Sequence, residues 1–211
     1  KMLRLQLDLG PGDRFFWFST TGWMMWNLQI GGLLVGATVV LYDGSPGHPD
    51  LGALWRLAER RGVTFFGTSA SYIQACIKAG LRPCESAELS RVRALGSTGG
   101  PLSPEGFRWV ADAVGPHVQT CSTSGGTDVC SAFLGSAPTV PVWLGELSCA
   151  ALGADVRALD ERGEELVDEV GELVLAQQMP SMPVMFWSDP GGARLRAAYH
   201  EDYPGLWRHG D

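Results

Sequence analysis

The chain has 211 residues, of which 45% are hydrophobic and 18% are charged, and its formal net charge is −7 at pH 7. This composition is typical of a globular protein with a sizeable buried core and excludes an intrinsically disordered chain. The negative net charge disfavours binding to nucleic acid, and no apolar stretch approaches the roughly 20 residues that a membrane-spanning helix needs. We therefore expect neither nucleic acid nor a membrane as a partner.

The cysteines and histidines show no pattern of a disulfide framework or a zinc site. There are five cysteines, an odd number without any C-x-x-C pair, and four histidines without the spacing of metal ligands. Free thiols are typical of a reducing compartment, so we expect the protein to be cytoplasmic.

Strands and helices are predicted to alternate along the first part of the chain. Short β-branched or aromatic runs predict strands, and longer apolar repeats between them predict helices. Ser69 and Ser103 are predicted N-caps, and Pro104 suits the first position of a helix. The alternation predicts an α/β fold, in which a parallel sheet carries helices on both faces. The predicted strands are 15–20, 37–42, 63–67, 92–95 and 117–121, and the helices between them begin near residues 23, 51, 70 and 104.

Beyond Phe133 the pattern changes to short strands separated by glycine, proline and aspartate. The run 160–163 has the composition of a hairpin turn between two of these strands. We therefore predict an α/β subdomain over residues 1–135 and a smaller β-rich subdomain over residues 136–211. The strands predicted in the second subdomain are 140–144, 154–159, 172–175 and 184–187.

Two loops rich in glycine and hydroxyl side chains follow neighbouring strands of the predicted sheet, at 96–101 and 122–128. Because ligands bind at the carboxyl ends of parallel strands, we expect both loops at one edge of the sheet. Neither loop has the G-x-G-x-x-G, G-x-x-x-x-G-K-[ST] or G-x-S-x-G pattern. Ordinary turns have a similar composition, so the loops alone leave open both plain turns and a phosphate site.

Six short segments occur in the order and at the spacing of one known family. They are 17–23 (WFSTTGW), 36–40 (GATVV), 96–101 (GSTGGP), 124–128 (SGGTD), 171–173 (GEL) and 203–211 (YPGLWRHGD). Two of them are similar to the family's G-[SE]-x-G-x-P loop and its aromatic-G-x-T-E motif. On these segments the chain resembles the acyl-CoA synthetases of the adenylate-forming superfamily over nearly its whole length.

The resemblance implies a two-step reaction that couples a carboxylic acid to coenzyme A. The carboxylate would attack the α-phosphorus of MgATP to give an acyl-adenylate and pyrophosphate, and the thiol of coenzyme A would then displace AMP. ATP and Mg²⁺ are thereby implied as cofactors, and coenzyme A as a substrate. Catalysis of such a reaction depends on positioning and on stabilising charge on the reacting oxygens.

The resemblance also implies roles for individual residues. Thr127 would contact the α-phosphate as a catalytic residue, and Asp128 would hold Mg²⁺, which prefers oxygen ligands. Position 128 is usually glutamate in that family, and the shorter Asp128 leaves its reach to the metal in question. Asp211 would accept hydrogen bonds from the ribose hydroxyls. The expected adenylate-binding residues are Gly99, Gly100, Pro101, Ser122, Thr123, Ser124, Gly125, Gly126, Thr127 and Asp211.

The expected acyl pocket points to a short acid that is larger than acetate. Acetate-activating members of the family carry a tryptophan at the position of Gly125, which closes the pocket, and the segment 122–128 is most similar to the acetoacetate-activating members. The side chains at 23–26 are the predicted opposite wall, although ordinary core packing would also explain them. The expected pocket residues are Trp23, Met24, Thr98 and Gly125.

Three alternatives to acetoacetate activation remain open from the sequence. Another short- or medium-chain acyl-CoA synthetase would share these motifs, as would an adenylating enzyme that hands its acyl group to a carrier protein. A non-catalytic nucleotide-binding module would share the scaffold, but it would not need a metal carboxylate at Asp128. The resemblance further implies a phosphate loop before Lys1 and a small domain after Asp211, so we expect this segment alone to be inactive.

Overall fold

The computed structural model describes residues 1–210. The first part of the described chain contains a parallel sheet. The strands of this sheet are β1 (Arg14–Trp17), β2 (Thr38–Val40), β3 (Phe65–Ser69), β4 (Ala94–Thr98) and β5 (Gln119–Ser122). They pair in parallel in the order β2-β1-β3-β4-β5. The α/β class predicted from the alternation is thereby confirmed.

Helices cover the connections between these strands. The two predicted serine caps are present, since Ser69 Oγ accepts from the amide of Tyr72 and Ser103 Oγ accepts from the amide of Gly106, both at 3.2 Å. Such caps satisfy amide groups that have no partner within the helix. The helices are α1 (Met24–Gly31), α2 (Ala53–Arg61), α3 (Ala70–Lys78) and α4 (Pro104–Trp109), with 3₁₀ turns at Gly32–Val35 and Pro83–Glu85 and π-helical turns at Met2–Gln6 and Val110–Val114.

Both faces of the parallel sheet are buried, as a sheet between two helical layers requires. Phe15 and Phe65 face one apolar cluster, while the adjacent Phe16 and Phe66 face the other. Trp55 of α2 stacks on Phe66 with ring centroids 4.3 Å apart. Each fully buried side chain of this size contributes about 1.5–3 kcal/mol.

The indole of Trp17 lies flat against two strands where they have no side chains. A Cβ added to Gly67 or Gly96 would lie 2.1 Å or 2.5 Å from that ring. Glycine at both positions therefore lets the ring of Trp17, the last residue of β1, lie against the middle of β3 and of β4.

The second part of the described chain consists of antiparallel strands. A three-stranded sheet is followed by a four-stranded sheet in the order β10-β9-β11-β12. Phe133, Leu175 and Trp207 belong to one apolar cluster, so the two sheets share a core. The strands are β6 (Ser124–Gly126), β7 (Ser131–Gly135), β8 (Cys149–Ala150), β9 (Val156–Leu159), β10 (Glu165–Leu166), β11 (Glu172–Leu175) and β12 (Trp207–Arg208), and the remaining helix is α5 (Ala193–Tyr199).

The predicted details of this second part are partly right. The turn at 160–163 joins β9 and β10, with the amide of Gly163 donating to the carbonyl of Asp160 at 3.0 Å. The strands predicted at 140–144 and 184–187 are wrong, since both runs are irregular. Their apolar side chains are largely exposed, for example Trp143 (59%) and Trp187 (93%), and so do not form a buried strand face.

Antiparallel pairing begins at Ser124, directly after the last parallel strand ends at Ser122. The division into subdomains after residue 135 stays a prediction.

Within residues 1–210, no helix is long and apolar enough to cross a membrane.

Candidate active site

The two glycine- and hydroxyl-rich loops lie side by side at the carboxyl edge of the parallel sheet. Ser97 of β4 is in register with Ser122 of β5, which brings the loop after each strand together. The hydroxyl of Thr98 donates to the carbonyl of Thr123 at 2.9 Å, and the amide of Thr123 donates to the carbonyl of Ser97 at 2.9 Å. These cross-loop bonds join the loops into one surface.

Two cavities adjoin this surface and share a wall formed by Thr98, Gly99, Thr123 and Gly125. The larger cavity has a volume of about 710 Å³. The smaller one has a volume of about 200 Å³. We call them the large cavity and the small cavity. Ligands bound in the two cavities would therefore lie next to each other.

The large cavity is lined by glycines, short hydroxyl side chains and a few apolar side chains. Hydroxyls and glycines of this kind allow a ligand to approach main-chain N–H groups closely. Residues Gly145–Leu147 close its other side, where Gly145 packs against Pro104 at the start of α4. Its volume lies within the range of about 300–1,000 Å³ that is usual for small-molecule sites. Its remaining lining residues are Gly100, Pro101, Leu102, Ser122 and Ser124.

The small cavity is lined by large apolar side chains from the start of α1 and from Trp23 directly before it. Met24 and Met25 are buried, whereas Trp23 is 47% exposed and stands against the shared wall. A Cβ added to Gly99 would lie 3.3 Å from the indole of Trp23. All four residues predicted for an acyl pocket line this cavity, and it is completed by Met25, Thr123, Gly99, Thr127, Ser131 and Ala132.

Gly125 has a structural role that the sequence did not indicate. A Cβ at this position would lie 2.4 Å from the carbonyl oxygen of Ser131 and 2.7 Å from Cα of Ala132. The strand β6 therefore approaches β7 too closely for any side chain, and the pairing shifts register between Ser124 and Gly125. A tryptophan could not occupy this position unless β7 moved.

Thr127 connects the second glycine-rich loop, 122–128, to helix α1; this loop is called the glycine-rich loop below. Its Oγ1 accepts a hydrogen bond from the amide of Met24 at 3.2 Å. A hydroxyl that accepts in this way keeps its own proton, so it can still donate to a ligand oxygen. Because Thr127 also lines the small cavity, that donor lies beside the cavity that the predicted acyl-pocket residues line.

The carboxylate of Asp128 is exposed and accepts a hydrogen bond from the hydroxyl of Tyr199. Burial of Tyr199, together with this bond, raises the pKa of Tyr199 to about 12, so its hydroxyl remains a donor at neutral pH. Within residues 1–210, no group of three or more His, Cys, Asp or Glu side chains could hold a metal. A single carboxylate nevertheless fits Mg²⁺, which is commonly held by one or two carboxylates plus phosphate oxygens and water.

The last described segment also reaches the glycine-rich loop. A Cβ on Gly126 would lie 2.4 Å from the ring of His209, whose amide donates to the carbonyl of Leu173 at 3.1 Å. Three segments of the family resemblance therefore meet in space. Asp211 lies outside the described residues, and its ribose contact stays a prediction.

Several lining residues were missed by the sequence reasoning. Gly145, Glu146 and Leu147 directly follow the run 140–144 that was predicted as a strand, and Ser131 and Ala132 lie in β7. No local pattern marks any of them, because their place at the cavities depends on pairing and packing that are distant in sequence.

Comparison with known proteins agrees with this geometry. Residues 2–182 match the model of a family described as AMP-binding enzyme. The chain belongs to the AMP-binding enzyme family. The resemblance inferred from the six segments is thereby confirmed.

Among similar members of the AMP-binding enzyme family are several acetoacetyl-CoA synthetases. The protein of Rhizobium meliloti (strain 1021) is 48% identical over 208 residues, covering 99% of this chain and 32% of that protein. The protein of Xenopus tropicalis is 41% identical over 199 residues, covering 94% of this chain and 30% of that protein. The solved structure of acetoacetyl-CoA synthetase from Streptomyces lividans has a TM-score of 0.94 and 55% identity, covering 100% of this chain and 33% of that one. The chain thus spans about a third of the length of these relatives.

Proposed function

We propose that the full-length protein to which this chain belongs activates acetoacetate with ATP and transfers the acyl group to coenzyme A. The observation that carries the proposal is the wall shared by the large and the small cavity. ATP would occupy the large cavity and the acid the small one. Their reacting atoms would then meet at the wall, which supplies the proximity that a two-substrate reaction needs.

The first chemical step would be attack of the carboxylate on the α-phosphorus, with pyrophosphate leaving. Thr127 suits this step because its free hydroxyl proton can stabilise charge on an α-phosphate oxygen while its oxygen is held by Met24. Asp128 would hold Mg²⁺ together with the phosphates. The metal, when bound, neutralises phosphate charge.

In the second step the thiolate of coenzyme A would attack the acyl carbonyl, and AMP would leave. The carboxylate oxygen that had bonded to phosphorus departs with AMP. A free carboxylate has no comparable leaving group, which is why the ATP-dependent step must precede thioester formation. The large cavity, which would hold the nucleotide part of the adenylate, adjoins the small one at this stage as well.

Acetoacetate is supported as the acid by the size and lining of the small cavity. A volume of about 200 Å³ between an indole and two methionine side chains suits a short acid rather than a long acyl chain. The relatives described above carry the name acetoacetyl-CoA synthetase. We further propose that the protein is cytoplasmic, since all five cysteines are free thiols.

Release of pyrophosphate by the full-length protein tests the proposal. The protein is incubated with MgATP and coenzyme A, and with acetoacetate, acetate, butyrate or hexanoate in turn. We expect kcat/KM for acetoacetate to exceed that for each other acid by about tenfold or more, the usual discrimination of a fitted pocket. A higher value for another acid would replace acetoacetate as the substrate, and no acid-dependent release would refute the proposed activity.

The thiol acceptor is tested separately. Full-length protein that has formed the adenylate is offered coenzyme A or a phosphopantetheinylated carrier protein, and the thioester is quantified. We expect thioester on coenzyme A. Thioester on the carrier alone would show an adenylating enzyme that loads a carrier protein.

A further inference from the structure

The carboxylate of Asp128 is held by a side chain that is distant in sequence. Asp128 lies in the loop between β6 and β7, directly after Thr127. Its Oδ2 accepts a hydrogen bond from the hydroxyl of Tyr199, which is 71 residues further along the chain at the end of α5. Both side chains lie at the junction between the glycine-rich loop and the four-stranded sheet.

Tyr199 is itself fixed by aromatic packing. Its ring stacks on Trp207 with centroids 3.7 Å apart and an interplanar angle of 14°, and it meets the edge of Phe186 at 5.9 Å. Trp207 is 2% exposed and packs in the core that the two antiparallel sheets share. The Tyr199 hydroxyl is therefore presented to Asp128 from a rigid base.

The hydrogen bond leaves one side of the carboxylate available. It engages Oδ2, whereas a carboxylate has a second oxygen with its own lone pairs, here Oδ1. An exposed aspartate without such a bond would sample several side-chain orientations, and a ligand would have to select one of them. Hydrogen bonds of this kind commonly orient the carboxylates that bind metals.

We propose that Tyr199 is a positioning residue, whose hydroxyl orients Asp128 so that Oδ1 faces the Mg²⁺ that accompanies ATP. This inference rests on the proposed function, because it needs Asp128 to be the metal carboxylate. Tyr199 touches neither substrate nor metal and acts through Asp128 alone. Loss of its hydroxyl should weaken metal binding without removing the nucleotide site.

The test is a metal-binding titration that requires no turnover. Full-length protein is saturated with a non-hydrolysable ATP analogue, and binding of Mn²⁺ as a probe for Mg²⁺ is followed by electron paramagnetic resonance. Tyr199→Phe keeps the ring that stacks on Trp207 and removes only the hydroxyl. We expect the Kd for Mn²⁺ to rise about tenfold, the lower end of the usual effect of removing such a hydrogen bond. Binding of the analogue without metal should change less than about twofold, well below that tenfold effect.

Tyr42→Phe is the matched control. The Tyr42 hydroxyl donates to the carbonyl of Ser45 at 3.0 Å, outside both cavities. We expect this variant to bind Mn²⁺ as the unaltered protein does. A Kd for Mn²⁺ that is unchanged in Tyr199→Phe would overturn the inference. It would also be overturned if Tyr199→Phe weakened metal-free analogue binding as much as Mn²⁺ binding, because the role would then be structural.

Asp128→Ala separates failure of the inference from failure of the proposed function. If Asp128→Ala weakens Mn²⁺ binding and Tyr199→Phe does not, the positioning role is wrong and the metal role of Asp128 stands. If neither variant affects Mn²⁺ binding, both roles are wrong. Acid-dependent pyrophosphate release by the unaltered protein then decides the proposed function independently.

Discussion

The large cavity and the small cavity share a wall, but they are built from different parts of the chain. Glycines, short hydroxyl side chains and a few apolar side chains from three loop segments line the large cavity, whereas the indole of Trp23 and two methionines at the start of α1 line much of the small one. Recognition on the first side therefore depends largely on how the loops are placed. On the second side it depends on the volume of a few side chains, which single substitutions can change.

The difference predicts that the proposed nucleotide side and the proposed acid side can be altered separately. A substitution in α1 changes the shape of the small cavity without moving the loops, as long as the helix still packs on the sheet. A substitution in the wall or in Thr127 affects both sides at once. The following variants of the full-length protein test this division, from the largest expected effect to the smallest.

Thr127→Val should have the largest effect, because it removes the hydroxyl that links α1 to the proposed phosphate position. We expect adenylate formation to slow by about 100-fold, as when one preorganised donor to a reacting oxygen is lost. Thioester formation from the adenylate should slow much less. Quenched-flow measurement of both half-reactions tests this, with the exposed Thr139→Val as the control. Equal slowing of both steps would contradict a role at the phosphate.

Gly125→Ala should damage the wall itself. The added methyl group would meet the backbone of Ser131 and Ala132, so we expect a loss of about 1–3 kcal/mol in the free energy of unfolding. Gly191→Ala, where an added Cβ meets nothing within 4 Å, is the control. Thermal unfolding of both variants measures the difference. An unchanged melting temperature for Gly125→Ala would show that β7 yields easily and that the wall is not rigid.

Trp23→Ala should change the small cavity alone. The truncated side chain widens the cavity, and we expect kcat/KM for hexanoate relative to acetoacetate to rise about tenfold. The KM for ATP should not change. Trp187→Ala removes an indole that is 93% exposed and serves as the control. A large change in the KM for ATP would show that the two cavities are not independent.

Asp13→Asn should affect stability without affecting either cavity. Burial raises the pKa of Asp13, but hydrogen bonds from Arg93, Thr64 and the Gly10 amide outweigh it and hold the pKa below its ordinary value of 3.8. The carboxylate therefore stabilises the fold above that ordinary pKa, and this contribution is lost as the pH falls through the lower folded-state pKa.

Unfolding by urea at two pH values measures this contribution. At pH 7 we expect Asp13→Asn to cost about 1 kcal/mol, and at pH values well below the ordinary pKa the difference should shrink. The exposed Asp43→Asn is the control. A loss of stability that is equal at both pH values would contradict the role of the Asp13 charge.

The parallel sheet could be predicted because its signals are local. Aromatic and β-branched runs such as 63–67 predicted strands, here β3, and Ser69 and Ser103 predicted helix starts with caps that the structure contains. The glycine- and hydroxyl-rich loops were also visible, and the order of the strands brought them together at one edge.

The antiparallel part was harder to predict because it depends on contacts between distant residues. The run Ser124–Gly126 forms a strand although glycine is depleted in strands, since it is held by pairing with β7. The run 140–144 has a strand-like composition but lies irregularly with exposed Trp143. The partnership of Asp128 with Tyr199 joins residues 71 positions apart, and neither side chain carries a local signal of it.

Transfer of oxygen from the acid to AMP tests the central claim most directly. Full-length protein is given acetoacetate labelled with ¹⁸O in both carboxylate oxygens, together with MgATP and coenzyme A, and the products are analysed by mass spectrometry. Attack of the carboxylate on the α-phosphorus predicts one ¹⁸O atom in each AMP and none in pyrophosphate. Unlabelled AMP, or ¹⁸O in the pyrophosphate or inorganic phosphate released from ATP, would contradict the account.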